Sequence, residues 1–186
     1  MTHIVDGKSD EFMLPHFINT MVELGRLGNK TPDKGGFYKR KYDKSKTVLN
    51  IKSFTYASVS CVKIPFVEQA KQYIREGRYF DAFTEIKKSS EKKADFIRKI
   101  LCSYVAYSFA CVGEVTHKKY GIELIDKAMA YGFNWAPPTL IMQLFGGKKE
   151  IIPLLKHYSI EIPNSLLEFS ELPLFNPRHG IYFLAK

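Results

Sequence analysis

The chain has 186 residues, 45% hydrophobic and 14% aromatic, which is enough to build a core and too apolar for a disordered chain. Twenty-eight Lys and Arg against 19 Asp and Glu give a formal charge of +9, a balance compatible with nucleic acid, an anionic membrane surface or a phosphorylated substrate. The basic residues are spread along the chain, with enrichment at 34–46 and 87–93, a distribution that favours solubility over one binding footprint.

Residues 11–25 place Phe12, Phe17, Ile18, Met21 and Leu24 near one helical face, and Gly25 is set to stop that helix. The stretch GNKTPDKGGFYKRK follows at 28–41, with three glycines, one proline and five basic residues. Three readings are open for it: a phosphate-cradling loop, a nucleic-acid-binding patch, or a connector between a helix and a hairpin. TVLNIKSFTYAS is rich in β-branched and aromatic residues. Val48, Leu49, Ile51, Phe54 and Tyr56 predict two short strands with a turn near Lys52-Ser53.

From Ile64 the pattern is helical. Pro65 suits a first helical turn, and that helix ends at Gly77. RYFDAFTEIKK predicts a second short helix. SSEKKADFIRKILCSYVAYSFACVGEVTHKK opens on a serine cap with a Glu close behind. Phe96, Ile100, Tyr104, Tyr107 and Cys111 recur at helical spacing, which predicts a long, largely buried helix on that face. GIELIDKAMAYGF predicts an amphipathic helix with Ile122, Ile125, Ala128 and Met129 inward and Gly132 as its cap. Pro137-Pro138 forces an extended entry to a short helix from Thr139 to Phe145. Two more short helices, in KKEIIPLLKHY and PNSLLEFS, precede a proline-punctuated tail that closes on a strand-like run. The two segments DKGGFYKRK and PRHGIYFLAK form a weak internal repeat: a basic turn, a glycine and an aromatic pair.

Sites of familiar kinds are absent from the sequence. It has no GxGxxG after a strand and no GxxxxGK[ST], so neither nucleotide-phosphate cradle is encoded, and the 28–41 loop fails the second test in spacing and in its missing strand. His3, His16, His117, His157 and His179 are scattered singly, which argues against a local zinc site. His117 reads as a partner for a helix end. Glu123 and Asp126 resemble a carboxylate pair, but their amphipathic setting predicts a solvated face. Trp135, beside two prolines, is expected to anchor its turn against the core, with Tyr104 and Tyr107 in the core as well. Cys61, Cys102 and Cys111 lack metal spacing and read as reduced thiols. The first residues lack the basic and apolar regions of a secretory signal, and no apolar run approaches the roughly 20 residues of a spanning helix, so a cytoplasmic protein is expected.

The segment GIELIDKAMAYGFNWAPPTLIMQLFGG resembles the C-terminal domain of the NAD-dependent L-3-hydroxyacyl-CoA dehydrogenases, through Ile125, Asp126, Ala128, Met129 and Gly132, with Trp135 and Pro138 in the turn. Pro137 stands where that family has Gly, and Thr139 where it has Phe. The 28–41 stretch is similar to the end of the same domain through Gly28, Lys30, Thr31, Gly36, Phe37 and Tyr38, with Pro32 in place of a Gly, and His3–Gly7 resembles the helix before it. The resemblance implies a mainly α fold, a helical bundle of the 6-phosphogluconate/3-hydroxyacyl-CoA dehydrogenase C-terminal type with a small β-hairpin connector. It implies the tail of a first domain copy at 1–41, a hairpin linker at 42–61 and a diverged second copy at 62–186. It implies participation in fatty-acid β-oxidation, in which 3-hydroxyacyl-CoA is oxidised to 3-ketoacyl-CoA with NAD.

The family's nucleotide-binding half and its catalytic His-Glu pair have no counterpart here. The region matching the family's functional Asn reads FIRKILCSY, without an Asn. No catalytic, cofactor-binding, metal or substrate-binding residue is therefore assigned, and the chain alone is expected to be inactive. The expected partners are the nucleotide-binding domain of the same enzyme, an acyl-CoA and a second copy of the chain. A membrane partner is not expected, and nucleic acid is the least favoured. The rival classes are a helical scaffold module that kept the fold without the chemistry, and a basic nucleic-acid-binding protein.

Overall fold

A computed structural model describes residues 13–58 and 63–170, and the backbone of 175–178 and 181–184. Expectations that fall on His3, Phe12, Cys61 and His179 lie outside the described residues. The chain divides into two compact units, Met1–Val62 and Lys63–Lys186. The fold is mainly helical with a small three-stranded antiparallel sheet.

The first unit begins with α1 (His16–Glu23), entered from Pro15 and followed by Gly25 at φ 67°. Three strands follow: β1 (Tyr38–Arg40), β2 (Lys46–Leu49) and β3 (Tyr56–Ser58), in the order β1-β2-β3. The expected pair corresponds to β2 and β3, which join Leu49 to Tyr56 and Thr47 to Ser58. β1 is the addition, pairing Tyr38 with Val48 and Arg40 with Lys46.

The glycines of the 28–41 stretch are explained by close backbone approach. Gly28 sits at φ 69°, and its N–H donates to the Gly35 carbonyl at 2.9 Å. A Cβ on Gly36 would lie 2.8 Å from the Gly28 Cα, a distance no side chain tolerates. Tyr56 fixes the turn from outside, its hydroxyl donating to Lys34 O at 2.9 Å and Gly36 O at 2.7 Å. Phe37 meets Phe17 of α1 edge-on at 6.3 Å. The stretch is a turn that leads into β1.

The second unit contains α2 (Pro65–Arg75), α3 (Tyr79–Lys88), α4 (Lys92–Ala110), α5 (Glu123–Lys127), α6 (Pro138–Phe145), α7 (Lys148–His157) and α8 (Asn164–Glu168). An antiparallel pair, β4 (Phe175–Arg178) and β5 (Ile181–Leu184), follows. Pro65 does open α2, and Gly77 takes φ 75° just beyond its end.

The core joins α3, α4, α6, α7 and α8. Seven of the eight residues of α6 are buried. A helix apolar on all sides is covered on all sides, and α6 is therefore the central strut. Phe83 meets Phe145 edge-on at 5.2 Å, and Phe109 meets Phe169 at 5.3 Å.

Two expectations about α4 fail. Its N-cap is Glu91, with no side-chain cap, and Ser89 only accepts from the Glu91 N–H at 3.3 Å. Its buried face is Ala94, Cys102, Val105, Ala106, Ser108 and Phe109. Phe96 and Ile100 are exposed, Phe96 at 64%. Aromatic and aliphatic residues at helical spacing marked a real stripe, but the smaller residues of the neighbouring stripe allow α6 and α7 to pack closely. The helix also stops at Ala110, so His117 does not sit at its end. His117 instead caps a short 3-10 turn, its Nδ1 accepting from the Lys119 N–H at 3.2 Å.

Candidate functional site

The segment from Ile122 to Phe145 carries the chemistry that distinguishes this unit. α5 gives way at Ala128 to a turn of π-helix, Ala128–Gly132. Such wide turns are uncommon and recur at functional sites. The register change divides the inward positions expected for one continuous helix. Ile122, Asp126 and Ala130 are buried, whereas Ala128 is exposed and Ile125 and Met129 are half-buried.

Asp126 is the principal correction. The solvated face expected for Glu123 and Asp126 holds for Glu123, which is exposed and pairs with Lys127. Asp126 is 0% exposed. One carboxylate oxygen accepts from the Thr139 backbone N–H at 3.2 Å, and the other accepts from the Thr139 hydroxyl. Pro137 and Pro138 open α6 without N–H groups, so Thr139 supplies the helix's first amide donor. Asp126 satisfies that donor from a different helix. Burial raises its carboxyl from the ordinary 3.8 to about 7; the two Thr139 hydrogen bonds oppose the rise and Glu123 adds to it. A sealed carboxyl reaches no outside substrate. Its chemistry is to dock the start of α6 onto α5.

The turn from Phe133 to Ala136 lies between them. Asn134 adopts φ 50°, a left-handed conformation that Asn tolerates better than most residues. The Trp135 N–H donates to Met129 O at 2.9 Å, and the Tyr104 hydroxyl donates to Ala136 O at 2.9 Å. The Trp135 ring meets Tyr104 edge-on at 5.8 Å and is 63% exposed, so it is not the core anchor expected of it. Tyr131 and Phe133 are exposed beside it in the sequence. Tyr104 and Tyr107 are half-buried. The backbone of this turn is pinned while its aromatic rings face outward.

Among the described residues no group of three His, Cys, Asp or Glu could hold a metal ion. Cys102 is buried, and burial pushes its thiol up to about 11, which makes it unreactive at neutral pH. His16 bonds Thr20 within α1, and His157 packs on Tyr158. No helix among the described residues is long and apolar enough to cross a membrane. Sequence reasoning missed the burial of Asp126. The available signal was the double proline, which strips a helix start of donors and leaves the next amide needing an acceptor.

Comparison with known proteins places similarity over most of the chain. It is 28% identical over 166 residues to a "Probable 3-hydroxyacyl-CoA dehydrogenase" of Bacillus subtilis (strain 168), covering 88% of this chain and 20% of that protein. It is 29% identical over 121 residues to a "Putative fatty acid oxidation complex trifunctional enzyme" of Rickettsia felis, covering 63% of this chain and 14% of that protein. The chain thus spans a fifth or less of the length of these curated relatives. No family model and no solved structure matches it.

Proposed function

We propose that this chain forms the C-terminal helical part of a 3-hydroxyacyl-CoA dehydrogenase of fatty-acid β-oxidation, lining the substrate cleft and contacting the nucleotide-binding part of the enzyme. The observation that carries this reading is the similarity to the Bacillus subtilis protein across 88% of the chain. On this reading, residues 1–41 are the tail of one domain copy, 42–61 the linker and 62–186 a second copy. The reaction of the whole enzyme converts 3-hydroxyacyl-CoA to 3-ketoacyl-CoA as NAD takes the hydride. No residue of this chain is assigned to NAD, because its sequence lacks the Gly-rich βα turn that cradles a dinucleotide pyrophosphate. Asp126 and Thr139 hold the helix that presents the outward turn; Trp135, Phe133 and Tyr131 offer that turn's contact surface.

The test uses Trp135, the single tryptophan. Purified chain is mixed with the part of the Bacillus subtilis relative outside the matched region. Docking is expected to shift Trp135 emission to the blue and to support NADH formation from 3-hydroxybutyryl-CoA, which the chain alone does not produce. Docking without oxidation would replace the enzyme-part reading with that of a non-catalytic interaction module. NADH formation by the chain alone would overturn the assignment of no catalytic group.

A further inference from the structure

The lysine enrichment at 87–93 lies beside the exposed stripe of α4. Phe96, Ile100, Ser103 and Tyr107 recur at i, i+4, i+7 and i+11, on the side of that helix turned away from its buried residues Cys102, Val105, Ala106 and Phe109. Alternating spacings of four and three are those with which one helix presents a seam to another. Phe96 is 64% and Ile100 49% exposed, and Ser103 and Tyr107 are half-buried. From Phe96 to Tyr107 the stripe runs about 16 Å, or three turns.

The flanks of this stripe are basic. At 3.6 residues per turn, Lys92 and Lys99 fall on one side of Phe96 and Ile100, and Lys93 falls on the other. All three are exposed, as is Lys88 at the end of α3. From Lys87 to Ile100 there are six basic and two acidic residues, a local charge of +4. Part of it is already answered: Arg98 pairs with Asp95 at 3.2 Å, and Lys87 with Glu150 at 3.8 Å. Among the described residues, Lys88, Lys92, Lys93 and Lys99 have no acidic group within ion-pair distance. Glu91 is the one exposed acid of the stretch, and it precedes the helix as its N-cap.

Charge selects among the possible occupants. A second copy of the chain would add lysines of the same sign and no exposed acid on this face. An anionic lipid surface calls for a wider apolar face than the two projecting side chains here. An acidic helix meets both features: its apolar residues at i, i+3, i+4 and i+7 lie along Phe96 and Ile100, and its carboxylates reach lysines on both sides. We infer that α4 docks an acidic amphipathic helix of a partner protein, with Phe96 and Ile100 as apolar anchors and Lys92, Lys93 and Lys99 as the charged rim. The inference does not rest on the dehydrogenase reading, because neither NAD, an acyl-CoA nor the Trp135 turn enters it.

Fluorescence anisotropy with the full chain and a labelled helical peptide of about 20 residues tests it. The peptide carries Leu at i, i+3, i+4 and i+7 positions and Glu on their flanks. One control has the same composition in scrambled order, and another has Lys in place of every Glu. The acidic helix is expected to bind at least about tenfold tighter than either control, and to weaken as salt is added. Phe96→Ser should weaken it by about tenfold at an unchanged melting temperature. The combined Lys92→Glu, Lys93→Glu and Lys99→Glu variant should lose the acidic peptide and gain the basic one, an exchange that a misfolded chain would not show. The proposal is overturned if the scrambled peptide binds as well, if Phe96→Ser leaves affinity unchanged, or if the charge-reversed variant does not exchange its preference. It is also overturned if the chain sediments as a dimer that Phe96→Ser dissociates, which assigns the face to a second copy. Displacement of the peptide by phosphatidylglycerol vesicles or by 3-hydroxybutyryl-CoA would overturn it as well, in favour of a lipid surface or of the substrate cleft.

Discussion

Asp126 shows how one residue's environment reverses its ordinary chemistry. Its carboxyl is protonated to higher pH in the folded chain, about 7, than in the unfolded chain, where 3.8 is ordinary. The folded state therefore binds the proton more tightly, and this group's contribution to stability falls as pH rises from about 4 to 7, then levels off. Asp126→Asn should remove that slope, so the stability difference between the wild type and the variant should move against the wild type across this window in urea titrations at successive pH values. Asp126→Ala leaves the Thr139 N–H and hydroxyl without their acceptor and should cost about 2–3 kcal/mol near pH 4, with the cost shrinking as pH rises toward 7. Trp135→Ala, by contrast, should change stability by less than about 1 kcal/mol, because that ring is mostly in solvent. Gly36→Ala forces a Cβ against the Gly28 backbone and should destabilise the first unit by about 1–3 kcal/mol, read from its thermal melt.

Among the elements, α3, α4 and α7 are tied by Arg98. Its guanidinium donates to Ile86 O at 2.6 Å, in the last turn of α3, and to Ser89 O at 2.8 Å, just past that helix, and pairs with Asp95 at 3.2 Å. Tyr158, just past α7, donates to the Asp95 carboxylate at 2.8 Å, and that bond is the largest cause holding the Asp95 carboxyl below its ordinary range. One planar fork serves several acceptors at fixed angles, which a lysine ammonium does not reproduce. Arg98→Lys should therefore cost nearly as much as Arg98→Ala, about 2–3 kcal/mol, in chemical denaturation. On α4 itself, Phe109→Ala should cost about 3–5 kcal/mol, whereas Phe96→Ser should be close to neutral by the same measurement. The helical stripe read from the sequence had the right period and the wrong face. Periodicity reports that a stripe exists; which stripe is covered depends on the partner helices, and the sequence of α4 does not contain them.

For the whole molecule, the two units differ in the core they can build. The second buries large side chains from five helices, including Phe109, Phe145, Ile151, Leu155 and Leu166. The first, within 62 residues, buries Met21 and Leu49 as its large apolar side chains among the described residues. Domains near that size bury only about 60% of the surface of their unfolded chain and are marginal alone. Residues 63–186 expressed separately should unfold cooperatively, and residues 1–62 separately should melt at much lower temperature with a broad transition, as followed by circular dichroism. Equal and sharp melts for both would contradict this division of stability.

The sequence by itself determined the local elements. Pro65, Gly77, the Pro137-Pro138 pair and the β-branched run at 46–58 each carry their own backbone restriction, and the helices and strands fall where those restrictions allow. Its resemblance to dehydrogenase C-terminal domains also agrees with the mainly helical fold. Tertiary structure decided which side chains each element hides. It sealed Asp126 behind Thr139, left Trp135 and Phe96 in solvent, and set Arg40 against Lys46. The physical reason is range: φ and ψ limits act within a few residues, whereas burial and charge pairing depend on neighbours brought together only by the fold.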